Sequence, residues 1–85
     1  MAYSIRIKAS AAKALQRIDR PNRVGLVEAI DRLRDEPLAG GVLKGEFSGL
    51  RRLRVGDYRI VYEVVKSQLV ILIVRVAHRS KVYRR

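Results

Sequence analysis

Cysteine and tryptophan are absent from these 85 residues, histidine occurs once, and acidic side chains number 8 against 19 Lys and Arg. Without cysteine there is no disulfide framework and no thiolate nucleophile, and a single histidine, His78, leaves no basis for a histidine-built metal centre. No metal and no cofactor is expected. Long apolar runs are missing too. The longest, Leu69 to Val74, is far short of the roughly 20 residues that span a bilayer. Charged Arg6 and Lys8 interrupt the N-terminal stretch Met1 to Ala14, so no secretory signal pattern forms. A cytoplasmic protein without membrane contact is expected.

What the chain has instead is positive charge. The formal net charge is +11, and residues 49–85 hold ten Lys or Arg against only Asp57 and Glu63. A surface this basic attracts polyanions before any specific contact is made, with RNA and DNA the leading partners. At this length the chain reads as one domain, residues 1–85. Chains below about 100 residues bury only roughly 60 to 65% of their unfolded surface, so the core is small and a partner is expected to add stability.

Hydrophobic periodicity divides the chain into one strand, two helices and three strands. Tyr3, Ile5 and Ile7 alternate with polar residues, the period of a half-buried strand. Ser10 is placed to cap a helix from Ala11 to about Arg17, with Ala11, Ala14, Leu15 and Ile18 on one side. Pro21 opens a second helix over Asn22 to Arg34, whose stripe is Val24, Val27, Ile30 and Leu33, joined by Leu26, and Pro37 stops it. The segment Asp35 to Phe47, with three glycines, reads as loop. Strands are then expected at Leu50 to Val55, Tyr58 to Val65 and Gln68 to Val76, joined by the two-residue links Gly56-Asp57 and Lys66-Ser67. Links so short make antiparallel hairpins. The expected fold is α+β, in the order β-α-α-β-β-β, with two N-terminal helices on one face of a small twisted, mainly antiparallel sheet.

Side chains two apart on a strand share a face. Arg52 and Arg54 therefore point one way, Arg51 and Leu53 the other. Arg75 shares a face with Ala77 and, if the extended path continues, with Arg79, while Val70, Leu72, Val74 and Val76 are assigned to the helices. The result is a cationic sheet face built from Arg52, Arg54, Arg59 or Arg75, and Arg79, with Tyr83 near enough to join it.

RNA carries its own nucleophile, the 2′-hydroxyl beside each phosphate. An enzyme need only align it, stabilise charge on phosphorus and move two protons. Arginine suits the charge because its planar fork grips phosphate and stays ionised. Tyr83, Lys81 and His78 are the candidates for moving protons. Plainer readings stand beside these: a run of strand arginines is often a solvated face, Tyr58 and Tyr62 share parity with Ile60 and Val64 and suit the core, His78 is also the end of an apolar strand, and Gly56-Asp57 is a turn. Asp57 and Glu63 fit tethers for arginines better than an acid–base pair.

The Leu43-Lys44-Gly45 lead-in, the Arg52-Leu53-Arg54-Val55-Gly56-Asp57-Tyr58-Arg59-Ile60-Val61-Tyr62 block and the His78-Arg79-x-x-Val82-Tyr83 ending resemble the RelE toxins of the RelE/ParE toxin–antitoxin superfamily. The resemblance covers nearly the whole chain, and the Gly-Asp-Tyr-Arg block also occurs in ParE-like members. It implies a metal-independent endoribonuclease that cleaves messenger RNA in the ribosomal A site and so inhibits translation. By position it assigns catalytic roles to Arg52, Arg59, Arg79 and Tyr83. Arg51, Arg54, Lys44, Arg75, His78 and Lys81 are the residues expected to bind RNA. Implied partners are an acidic RelB-like antitoxin, the ribosome with its messenger, and operator DNA reached through the antitoxin. Two departures weigh on the proton chemistry: Leu50 stands where some members have a lysine, and Arg52 replaces a lysine. The alternatives are a ParE-like toxin that inhibits DNA gyrase and an inactive member that only binds antitoxin or RNA.

Overall fold

The computed structural model describes residues 3–80. Lys81 and Tyr83, two of the expected site residues, lie outside the described residues. The chain runs β1 (Ser4–Ile7), α1 (Ala9–Gln16), α2 (Arg20–Arg32), β2 (Gly41–Val42), β3 (Arg51–Val55), β4 (Tyr58–Val65) and β5 (Val70–His78). These strands form one sheet in the order β1-β5-β4-β3-β2. The β1–β5 pair is parallel and the other three are antiparallel. The α+β class and the two-helix layer are as expected. The loop expected over Asp35 to Phe47 instead contributes the edge strand β2 and a 3₁₀ turn, Gly45–Phe47.

Helix starts were displaced by tertiary pairing. The Lys8 amide donates to the Ile73 carbonyl across the β1–β5 pair, and the Lys8 carbonyl accepts from Ala12. Strand passes directly into helix at Lys8, so Ser10 sits inside α1 and makes no cap. For α2 the N-cap is Asp19, whose carboxylate accepts from the Asn22 backbone and side-chain amides, with Pro21 in the first turn. The helix ends at Arg32, before Pro37 is reached.

Both helices lay their apolar stripes on one face of the sheet, α1 against β5 and α2 against β3. Ala11, Leu15 and Ile18 meet Leu26, Ala29, Ile30 and Leu33 over Ile60, Tyr62, Ile71, Ile73 and Val76. Each large aliphatic side chain so buried contributes roughly 1.5 to 3 kcal/mol. The α2 stripe is rotated from the expected one. Val24 and Val27 are 47% and 48% exposed while Leu26 is fully buried, because the row Leu26, Ile30, Leu33 sits at the i, i+4, i+7 spacing of a single face.

Two local features set the sheet's register. Gly56 takes φ +59° in the β3–β4 link, a left-handed value that tight hairpins favour and glycine adopts without cost. The β4–β5 link is longer than the expected pair of residues: a 3₁₀ turn over Lys66–Gln68 is followed by Leu69 at φ +54°. Between Val61 and Tyr62 the β4–β5 register shifts, with Val61 opposite Arg75 and Tyr62 opposite Ile73. Val74 is the extra residue, a β-bulge. The bulge overturns part of the expected parity. Before it, Ile71 and Ile73 face the helices, not Val70, Leu72 and Val74; after it, Val76 faces them, which puts Arg75 and Ala77 on the opposite face.

Candidate nucleic-acid interface

The face of the sheet away from the helices carries the cations. Across β3, β4 and β5 the register aligns Arg52 with Val61 and Arg75, and in the next row Arg54 with Arg59 and Ala77. Neighbouring strands are about 4.8 Å apart, so four guanidinium groups rise from a patch about two strand spacings wide. Val61, flanked by Arg52 and Arg75, is 4% exposed, and so forms a closed apolar floor between them. Arg54 and Arg59 stand directly opposite each other, an arrangement that costs stability in the absence of an anion. Glu63 lies on the same face of β4, exposed and further along the strand.

Arg79 follows the end of β5, two positions beyond Ala77, and is exposed. Its amide donates to the Asp57 carbonyl at 2.8 Å, tying the residue after β5 to the β3–β4 hairpin that also carries Arg59. Asp57 thus contributes a backbone acceptor at this end of the sheet. His78 pairs with Tyr58 across the strands, their rings edge to face at 5.6 Å. The His78 Nδ1 accepts from the Ser80 amide at 3.3 Å and lies 3.1 Å from its hydroxyl.

Three expected RNA-binding residues fall elsewhere: His78, whose ring sits against Tyr58 on the helix-facing parity of β5, Arg51 and Lys44. Arg51 shares the helix-facing side of β3, and its guanidinium donates to the Gly40 carbonyl at 2.8 Å. Its charge therefore serves the loop between α2 and β2 instead of the open face. Lys44, which begins the 3₁₀ turn after β2, is exposed at the β2 end of the sheet. Tyr62, buried in the core as its parity suggested, also holds the same loop: the hydroxyl accepts from Gly40 and donates to Pro37. Burial pushes the Tyr62 phenol above its usual range, against smaller opposing effects of the Gly40 hydrogen bond and the Arg51 charge.

Sequence reasoning missed the Val74 bulge and the turn closed by His78. An unbroken Val/Ile/Leu run gives no sign of where an extra residue is absorbed. The His78-Arg79-Ser80 order does hold a readable signal, since an acceptor two residues before a free amide is the spacing of an Asx-type turn. Among the described residues, no helix is long and apolar enough to cross a membrane.

The family of "ParE toxin of type II toxin-antitoxin system, parDE" matches residues 5–83. Toxin RelG of Mycobacterium tuberculosis is 33% identical over 87 residues, with all of both chains covered. Among solved structures, the toxin–antitoxin complex RelBE2 of the same organism superposes with TM-score 0.86 at 31% identity, covering 93% of this chain and 100% of that one. The RelE–RelB complex of Pyrococcus horikoshii gives 0.79 at 33% identity, covering 95% and 99%. The chain belongs to the RelE family of type II toxin–antitoxin toxins, within the wider RelE/ParE group.

Proposed function

We propose that this toxin is a ribosome-dependent endoribonuclease that cleaves messenger RNA in the A site and thereby inhibits translation. The observation that carries the reading is the two-row cationic patch, Arg52 and Arg75 around Val61 with Arg54 against Arg59. In the reaction the 2′-oxygen bonds to the adjacent phosphorus, the bond from phosphorus to the 5′-oxygen breaks, and a 2′,3′-cyclic phosphate is left. The 2′-hydroxyl loses a proton and the departing 5′-oxygen gains one. Arg59 and Arg79 stabilise the extra negative charge on the phosphoryl oxygens, where a preorganised charge-assisted donor is worth most. Arg52 borders the same site, Arg54 and Arg75 hold the flanking backbone, and Lys44, at the β2 end of the sheet, meets backbone further from it. Arginine holds its proton too firmly to act as a base, which leaves proton abstraction to Tyr83, Lys81 or His78.

A +11 chain of this fold suits neutralisation by an acidic RelB-type antitoxin that orders on binding and covers the patch. The RelE–RelB complexes among the structural relatives support that partner. Operator binding through the antitoxin and a cytoplasmic site of action belong to the same proposal.

The test is primer extension on a defined messenger incubated with the purified protein, free and programmed into ribosomes, beside Arg59→Ala. Cuts confined to the A-site codon and lost in the variant support the proposal; intact messenger in both settings overturns it. Because the matching family is described by ParE toxins, a gyrase-directed toxin is the second reading, and inhibition of supercoiling with intact messenger would favour it. Binding of messenger or antitoxin without either activity would identify an inactive member.

A further inference from the structure

We infer that His78 is a positioning residue that aims Arg79 through a side-chain-closed turn. The inference rests on the cleavage reading above. The Ser80 amide donates to His78 Nδ1 at 3.3 Å, which requires Nδ1 to present its lone pair. The imidazole thereby closes the ring that an Asn or Asp side chain closes in an Asx turn, from the side chain of one residue to the amide two residues on. The residue enclosed by that ring is Arg79. Three independent restraints converge on it: the Ser80 amide bond to His78 on one side, its own amide bond to Asp57 at 2.8 Å, and the edge-to-face contact that seats the His78 ring on Tyr58.

The same geometry gives His78 little to offer as a base. Its Nδ1 is occupied by Ser80, and Tyr58 fixes the ring on the helix-facing parity of β5, the side opposite Arg59 and Arg75. An exposed turn with no such closure would let a long guanidinium sample many positions, whereas transition-state stabilisation requires it to be held in place before the charge develops.

Two substitutions separate the ring from the acceptor. His78→Asn places an amide oxygen where Nδ1 stood and removes the ring. His78→Phe keeps a ring against Tyr58 and removes the acceptor. Single-turnover cleavage at saturating programmed ribosomes is expected to fall at least tenfold in His78→Phe with unchanged half-saturation, and to recover most of that loss in His78→Asn. In an Arg79→Ala background, adding His78→Phe is expected to change the rate less than twofold. Amide hydrogen exchange on the free protein supplies the second readout: faster exchange at Arg79 and Ser80 in His78→Phe, near-normal in His78→Asn. Equal loss in both variants, or full additivity with Arg79→Ala, would overturn the assignment. If the unaltered protein cleaves nothing, the cleavage reading fails, and exchange alone decides whether His78 orders the Arg79 turn; identical exchange in all three proteins overturns that as well.

Discussion

The Tyr62 hydroxyl bridges the backbone of Gly40 and Pro37, accepting from the Gly40 amide at 2.9 Å and donating to the Pro37 carbonyl at 2.8 Å. A central strand residue thus holds the loop that leads into the sheet edge, and Arg51 clamps the same Gly40 through its carbonyl. That loop backs directly onto β3, since a Cβ added at Gly40 would lie 2.7 Å from the carbonyl oxygen of Arg52.

Replacing Tyr62 with Phe keeps the ring and strands two backbone groups. The expected cost is about 1 to 3 kcal/mol, the penalty for buried polar groups left unpaired, read as a lower urea midpoint with unchanged slope. Gly40→Ala is expected to cost more than Tyr62→Phe, because the obstructing atom is backbone and the loop must move. Its effect should extend to RNA cleavage, since the carbonyl that the new Cβ would strike belongs to Arg52.

The raised Tyr62 pKa makes a prediction about alkaline pH. A group that holds its proton more tightly folded than unfolded contributes stability that is complete below its unfolded pKa of about 10 and is lost as pH rises through the folded value. The denaturation midpoint should therefore hold below about pH 10 and fall as pH rises above it. Tyr62→Phe should flatten that part of the profile, and an unchanged profile in the variant would refute the attribution.

Arg54 and Arg59 stand opposed on the open face, so Arg54→Gln should leave folding stability equal or raise it by a few tenths of a kcal/mol. Single-stranded RNA binding should weaken, with the slope of log K against log salt smaller by about 0.7 for the phosphate contact removed. A slope equal to that of the unaltered protein would show that Arg54 makes no phosphate contact.

Val74 is the one residue of β5 whose removal should leave the strand's faces unchanged. Val61 lies opposite Arg75 and Tyr62 opposite Ile73, so deleting Val74 makes Ile73 and Arg75 consecutive in a regular pleat, with Ile71 and Ile73 still toward the helices and Arg75 still on the open face. The deletion variant is expected to keep the dispersed amide spectrum of the folded protein, whereas inserting an alanine beside Val74 should abolish it, because one residue of slip inverts a strand's faces. An unfolded deletion variant would show that the sheet needs the bulge itself.

Much of the architecture was legible because it depends on local patterning. Alternation in Tyr3 to Ile7 and in Arg51 to Val55, the helical spacing of Ala11, Leu15 and Ile18, and the Gly56-Asp57 link are each set by residues close in sequence, and all reappear as elements or faces of the fold. The cationic face was legible to the same degree for Arg52, Arg54 and Arg59, whose strands are regular. Arg51 was assigned to the correct side of its strand, yet its anchoring of Gly40 was invisible, since the loop and the strand meet only in space.

By itself, the sequence determined the class of the fold, the basic charge and the side of β3 on which each arginine emerges, all consequences of composition and a two- or 3.6-residue period. Only the tertiary structure decided the rest. Pairing of Lys8 with Ile73 moved the start of α1, packing against the sheet chose Leu26 over Val24 and Val27, the bulge at Val74 reversed the first half of β5, and the hydrogen bonds among Asp57, His78 and Ser80 shaped the turn that holds Arg79. Each of these depends on contacts between segments distant in sequence, and a local pattern carries no record of which distant backbone group will be there to meet it.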